Sequence, residues 1–234
     1  MMTYMNSLGS PSIQASVLFV AHCCATWYRS HRLNRLNVKL SAILAMILFT
    51  FASCKSQITS APKEIYNKDF DWTITIPESF ETVSPEEWQK MQNRGAEAIE
   101  KTFDEKVDNQ AKTIFVFKND RSNYFESNYQ SFDVTEDGDY LESNRAVQDV
   151  LYETFKAQMQ NPRIDSLSAT ETIDGLKFHV YKMSIYLPND MVMELLMYSH
   201  LFGKRDFTVS ILTLDKEKQK VLLNAWRESK FGRK

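Results

Sequence analysis

From Arg163 onward the chain alternates strand-like runs with turn residues several times in succession, and this pattern restricts its fold more than any other feature. Arg163 to Ile173 and Leu176 to Leu187 flank Asp174-Gly175, a dipeptide that accepts the positive φ values of a tight hairpin. Pro188-Asn189-Asp190 turns into Met191 to Phe202, and Gly203-Lys204-Arg205-Asp206 turns into Phe207 to Leu214. Parallel neighbours need a crossover of a dozen or more residues, so strands joined this closely must run antiparallel.

The preceding residues supply the rest of a layered domain. Phe70, Trp72, Ile74 and Ile76 alternate with Asp71, Thr73 and Thr75 up to Pro77, the period of a half-buried strand. Ser84-Pro85-Glu86-Glu87 offers an N-cap, a first-position proline and a capping-box glutamate. Behind it Trp88, Met91, Gly95, Ile99 and Phe103 or Thr102 recur at helical spacing. Thr113 to Phe117 is a short apolar strand. Asn123 to Phe132 is a more polar one, with Tyr124 and Phe132 on one face and Phe125 and Tyr129 on the other. A helix over about Tyr140 to Gln160 buries Val147, Val150, Leu151, Phe155 and Met159, and ends at Asn161-Pro162. A last helix from Lys216 to Lys230 turns Val221, Leu222, Ala225 and Trp226 or Ser229 to one side. The expected fold is α+β, with an antiparallel sheet of about six or seven strands covered by amphipathic helices.

Trp72-Thr-Ile-Thr-Ile-Pro77, Glu78-Ser-Phe80, Asp206-Phe207-Thr208-Val209-Ser210 and Ser229-Lys230-Phe231, in this element order, resemble the PsbP-like family, whose members include bacterial lipoproteins. The resemblance runs from Phe70 to Phe231 and implies a layered sandwich with an accessory or binding role. It implies no functional residue.

Lys39 to Cys54, KLSAILAMILFTFASC, sets the expected location. Leu40 to Ala52 spans 13 uncharged residues, a helix of roughly 20 Å where the hydrocarbon core of a bilayer is ~30 Å. A signal peptide fits better than a permanent span. Phe51-Ala52-Ser53-Cys54 resembles the lipobox of bacterial lipoproteins, with Phe51 where leucine is usual, which implies acyl chains on Cys54. Lys55 stands where an aspartate would retain some lipoproteins in the inner membrane, so the resemblance favours the outer membrane, facing the periplasm or the cell surface. The expected organisation is a signal over 37–53, a lipidated cysteine and polar tether over 54–68, and one domain over 69–234. Residues 1–36, with the adjacent Cys23 and Cys24, are expected to precede the true translation start near Leu33 or Leu36; a long basic leader is the alternative.

Charge and cysteine usage agree with that compartment. Residues 1–53 hold four of the 28 basic residues (Arg29, Arg32, Arg35, Lys39) and none of the 30 acidic ones, leaving 24 against 30, or −6, for the remainder. An acidic domain lacks the electrostatic footprint of a nucleic-acid binder. Beyond Cys54 there is no cysteine, hence no disulfide and no thiolate chemistry.

The sequence offers few chemical candidates. Asp133, Asp137 and Asp139 with Gly138 match part of a calcium loop, but position 3 is Thr135 and position 12 is Asn144 rather than the bidentate glutamate. A solvated turn feeding a helix N-terminus explains the same residues. His179 and His200 sit in strands without metal-ligand spacing, and Ser199 beside His200 puts the two side chains on opposite faces. Tyr124 and Tyr129, set among amides and serines, suit either a ligand or partner surface or a partly exposed strand. Met183, Met191, Met193 and Met197 suit an adaptable pocket or, more simply, sheet–helix filling. No catalytic constellation and no cofactor motif emerges. The expectation is a lipid-anchored envelope module, non-enzymatic, that binds an envelope protein or small ligand or assists assembly. The alternatives are an envelope hydrolase with an unrecognised site and a weak cation-binding module.

Overall fold

The computed structural model describes residues 62–159, 162–187 and 190–232. The extension over 1–36, the signal over 37–53 and Cys54 lie outside the described residues.

Ten strands and three helices follow one another along these residues. They are β1 (Lys63–Asn67), β2 (Trp72–Ile76), β3 (Glu81–Thr82), α1 (Pro85–Phe103), β4 (Lys112–Asp120) and β5 (Asn123–Ser131). After these come α2 (Tyr140–Gln158), β6 (Arg163–Ile173), β7 (Leu176–Tyr186), β8 (Val192–Phe202), β9 (Arg205–Thr213), α3 (Lys216–Glu228) and β10 (Lys230–Phe231). Seven strands form an antiparallel sheet in the order β3-β4-β5-β9-β8-β7-β6, and β1, β2 and β10 form a second sheet with β2 in the middle.

Lys63–Asn67, expected to lie in the tether over 54–68, belongs instead to the domain, because it pairs antiparallel with β2 from Lys63↔Ile76 to Asn67↔Trp72. Its side chains are exposed or half-buried, so backbone bonding rather than apolar patterning holds it in place, and no period marks it.

Local chemistry places the helices as expected. Ser84 Oγ accepts the Glu87 N–H at 3.2 Å and Pro85 opens α1. The capping box is only half made, because the Glu87 carboxylate accepts from Lys118 Nζ at 2.6 Å. Asp139 caps α2, its Oδ1 accepting the N–H groups of Leu141 and Glu142, both at 2.9 Å. Asp215 caps α3 in the same way.

The period-2 faces of the large sheet create two cores. On one side Val116, Tyr181, Met183, Ile185, Met193, Leu195 and Met197 meet Trp88, Met91 and Ile99 of α1 and Val150, Leu151 and Phe155 of α2. The methionines therefore fill the space between sheet and helices. On the other side Phe117, Phe125, Phe178, Phe207 and Ile211 meet Trp72 and Ile74 of the small sheet and Leu222 and Trp226 of α3. Trp72 is fully buried, with Phe115, Phe207, Trp226 and Phe231 all within 6.0 Å, centroid to centroid. The molecule is α+β, with helices α1 and α2 on one face of a seven-stranded sheet and the small sheet with α3 on the other.

Candidate functional site

Chemically capable side chains gather on the α1/α2 face of the large sheet, where β5 and β9 lie side by side. Along β5 the residues Tyr124, Glu126, Asn128 and Gln130 share that face, and along β9 Asp206, Thr208, Ser210 and Leu212 do. The register sets Glu126 opposite Ser210, Asn128 opposite Thr208 and Gln130 opposite Asp206. The row through Asn128 and Thr208 continues across β8 and β7 to Ser199 and His179. All of these polar residues except His179 are at most 9% exposed.

Two small networks hold the layer. Asn128 Nδ2 donates to Glu126 Oε1 at 2.5 Å. Asp206 accepts from Tyr140 Oη at 2.7 Å and from Gln130 Nε2 at 3.3 Å, while Asn144 Nδ2 bonds the Tyr140 carbonyl at 3.0 Å. Glu126 Oε2 and Ser210 Oγ, on directly opposed residues, are buried and have no partner among the described residues.

Burial sets the electrostatics. It lifts the Glu126 carboxyl to about 8, against the opposing pull of the Asn128 hydrogen bond. Burial also raises Asp206 to about 6, although the bonds from Tyr140 and Gln130 favour its charged form. The Tyr140 hydroxyl is raised too, by burial first and then by the neighbouring Asp206 charge. His179 is lowered, by burial and then by the Lys177 and His200 charges. Burial thus favours the neutral forms of Glu126, Asp206, Tyr140 and His179.

The sequence-derived candidates occupy different places. Asp133 accepts from Lys204 at 2.5 Å and from the Thr135 hydroxyl at 2.7 Å, and the Lys204 bond holds its carboxyl below the usual carboxylate range. Asp137 Oδ2 accepts the Asp133 N–H at 2.7 Å, and Asp139 caps α2. Each carboxylate thus serves the turn, and among the described residues no group of three or more His, Cys, Asp or Glu could hold a metal ion. Tyr124 is 4% exposed and packs in the core against the helices, so it belongs to no surface. Its strand reads as partly exposed because its side chains are polar, whereas it lies inside the sheet between β4 and β9, with the helices over one face and the small sheet and α3 over the other. Tyr129 is half-buried, its ring against Phe70 at 5.2 Å and under Lys112 Nζ at 5.8 Å. Ser199 and His200 do face opposite sides: Ser199 opposes His179, while His200 Nδ1 meets the Lys177 carbonyl at 2.8 Å and its ring lies 4.5 Å from Phe202.

Glu126, Asp206 and Tyr140 escaped sequence reasoning. Their signal was the spacing of Glu126, Asn128 and Gln130 and of Asp206, Thr208 and Ser210 at every second residue. That spacing reads as a solvated face until β5 is known to lie beside β9, some eighty residues away.

Neither the protein-family models nor the curated proteins compared with the chain match it. Among solved structures, the chain is similar to the solution structure of cyanobacterial PsbP (CyanoP) from Synechocystis sp. PCC 6803. The TM-score is 0.48 at 8% identity, over 78% of this chain and 99% of that one.

Proposed function

We propose that the chain is a lipid-anchored cell-envelope module, tethered by acyl chains on Cys54, that binds an envelope protein or small ligand or assists assembly and catalyses no reaction. The enclosure of its chemistry carries this reading. Glu126, Ser199, Ser210 and Asp206 are at most 9% exposed, and a general base or nucleophile must come within hydrogen-bond reach of its substrate. The signal-like segment ending at Cys54, the cysteine-free domain and the helix and small-sheet cover on both sheet faces support the same reading. No helix among the described residues is long and apolar enough to cross a membrane.

Capture experiments test it. The full chain, anchored through Cys54 and solubilised from membranes in mild detergent, is expected to retain one specific envelope protein or small ligand that a Cys54→Ala chain recovers less well. Empty captures together with turnover of an ester, peptide or glycoside by the purified chain would replace this reading with a hydrolase.

A further inference from the structure

The outermost strand of the large sheet is built unlike a protected edge. β6 ends the sheet, pairs only with β7 among the described residues, and runs for 11 residues, of which eight are exposed. Natural proteins blunt such edges with short strands, charged side chains (lysine above all), proline, bulges or a covering helix. The opposite edge follows that rule, with the two-residue β3 and two register breaks where β4 meets β5. The β6 sequence RIDSLSATETI has no lysine and no proline, its three charges stand outside the central run from Ser166 to Thr170 and are paired within the chain, and its ladder to β7 is unbroken from Arg163↔Tyr186 to Ile173↔Leu176.

The turn fixes which backbone groups point outward. Asp174 and Gly175 both have positive φ (47° and 83°), the type I′ turn of a two-residue hairpin, which makes Ile173 and Leu176 a hydrogen-bonded pair. Alternation then turns the N–H and C=O groups of odd-numbered β6 residues toward β7 and those of Ile164, Ser166, Ser168, Thr170 and Thr172 away from it. Leu167, 63% exposed, lies midway along this free edge.

We propose that β6 is a homodimer interface, in which two copies of the chain join their large sheets antiparallel about a two-fold axis through Leu167. One register satisfies both charge and apolar contact. With Leu167 facing its own copy, Arg163 of each chain stands opposite Glu171 of the other, so opposite charges meet twice. Glu171 already accepts from Arg227 at 2.6 Å and Arg163 is paired with the exposed Asp165 at 3.1 Å, so the cross-chain pair extends the first and competes with the second. Shifting the axis by one residue to Ser168 would set Asp165 opposite Glu171, a like-charge pair that destabilises a ladder. In the favoured register Ser166 pairs with Ser168 and Ile164 with Thr170 through the outward backbone groups, and Leu167 meets Leu167 at a non-hydrogen-bonded position, where side chains approach most closely. The occupant is a second copy because the strand complements itself; the inference is independent of the envelope reading.

Sedimentation of the full chain over a concentration series tests this, with non-reducing electrophoresis of Leu167→Cys after mild oxidation. The expected results are a reversible dimer, at least tenfold weaker dimerisation in Leu167→Lys and in Ser168→Pro, and a covalent dimer from Leu167→Cys beyond that from wild type or Val221→Cys. Circular dichroism of each variant checks that it folds, since both substitutions lie on the solvent edge. A folded monomer at all concentrations, or equal cross-linking from positions 167 and 221, would overturn the proposal. So would a monomer whose edge is taken by a strand of another protein.

Discussion

Glu126 is the residue that most distinguishes this interior from an ordinary one. A carboxyl with no exposure and one oxygen without a partner is tolerated only if it keeps its proton. Its folded value of about 8 stands above the unfolded 4.5, so its contribution is fully present below pH 4.5 and is lost as pH climbs to 8. Asp206, raised from 3.8 to about 6, adds a loss of the same sign at lower pH. Glu126→Gln keeps the acceptor for Asn128 and adds an amide donor opposite Ser210. Thermal melts should show a gain on the order of 1–3 kcal/mol at pH 8.5 that shrinks toward zero at pH 5. An equal effect at both pH values would mean that Glu126 does not carry a proton in the fold. Asp139 offers a second test, since its side chain holds two N–H groups at the start of α2. Asp139→Ala should cost about 1 kcal/mol in denaturant unfolding, with no change in heat on adding calcium; a calcium response lost with Asp139 would restore the cation reading.

At the scale of elements, what could be read in the sequence was what is local. Ser84-Pro85 and Asp174-Gly175 announce a helix start and a hairpin through their own backbone chemistry, and both occur where they do. The alternation from Trp72 to Ile76 marks β2. Lys63–Asn67 was silent because a strand held by backbone bonds with exposed side chains leaves no apolar period. The polar layer was silent for a different reason: Glu126 and Ser210 are neighbours only through a pairing between distant strands. The small sheet makes its own prediction. Trp72 seals β2 against an aromatic cluster from four other elements, so Trp72→Ala should destabilise by about 3–5 kcal/mol, read from the shift in urea midpoint. A loss below about 1 kcal/mol would mean that β2 is not anchored by this ring.

The whole molecule combines two cores, a large sheet covered on both faces and no cysteine past residue 54. The stability of the domain past residue 54 therefore owes nothing to disulfides, and dithiothreitol should leave its melting temperature unchanged. A drop of several degrees would require a bridge that the domain's composition forbids. The enclosed acids and the open edge strand are what the proposed role, contact rather than turnover, rests on. The proposed place in the envelope rests on Cys54. Feeding cells radioactive palmitate and following the full chain beside Cys54→Ala is the direct test. Label on the wild-type chain, located in the membrane fraction and lost with the substitution, is the expected result; an unlabelled wild-type chain in the soluble fraction would contradict the account.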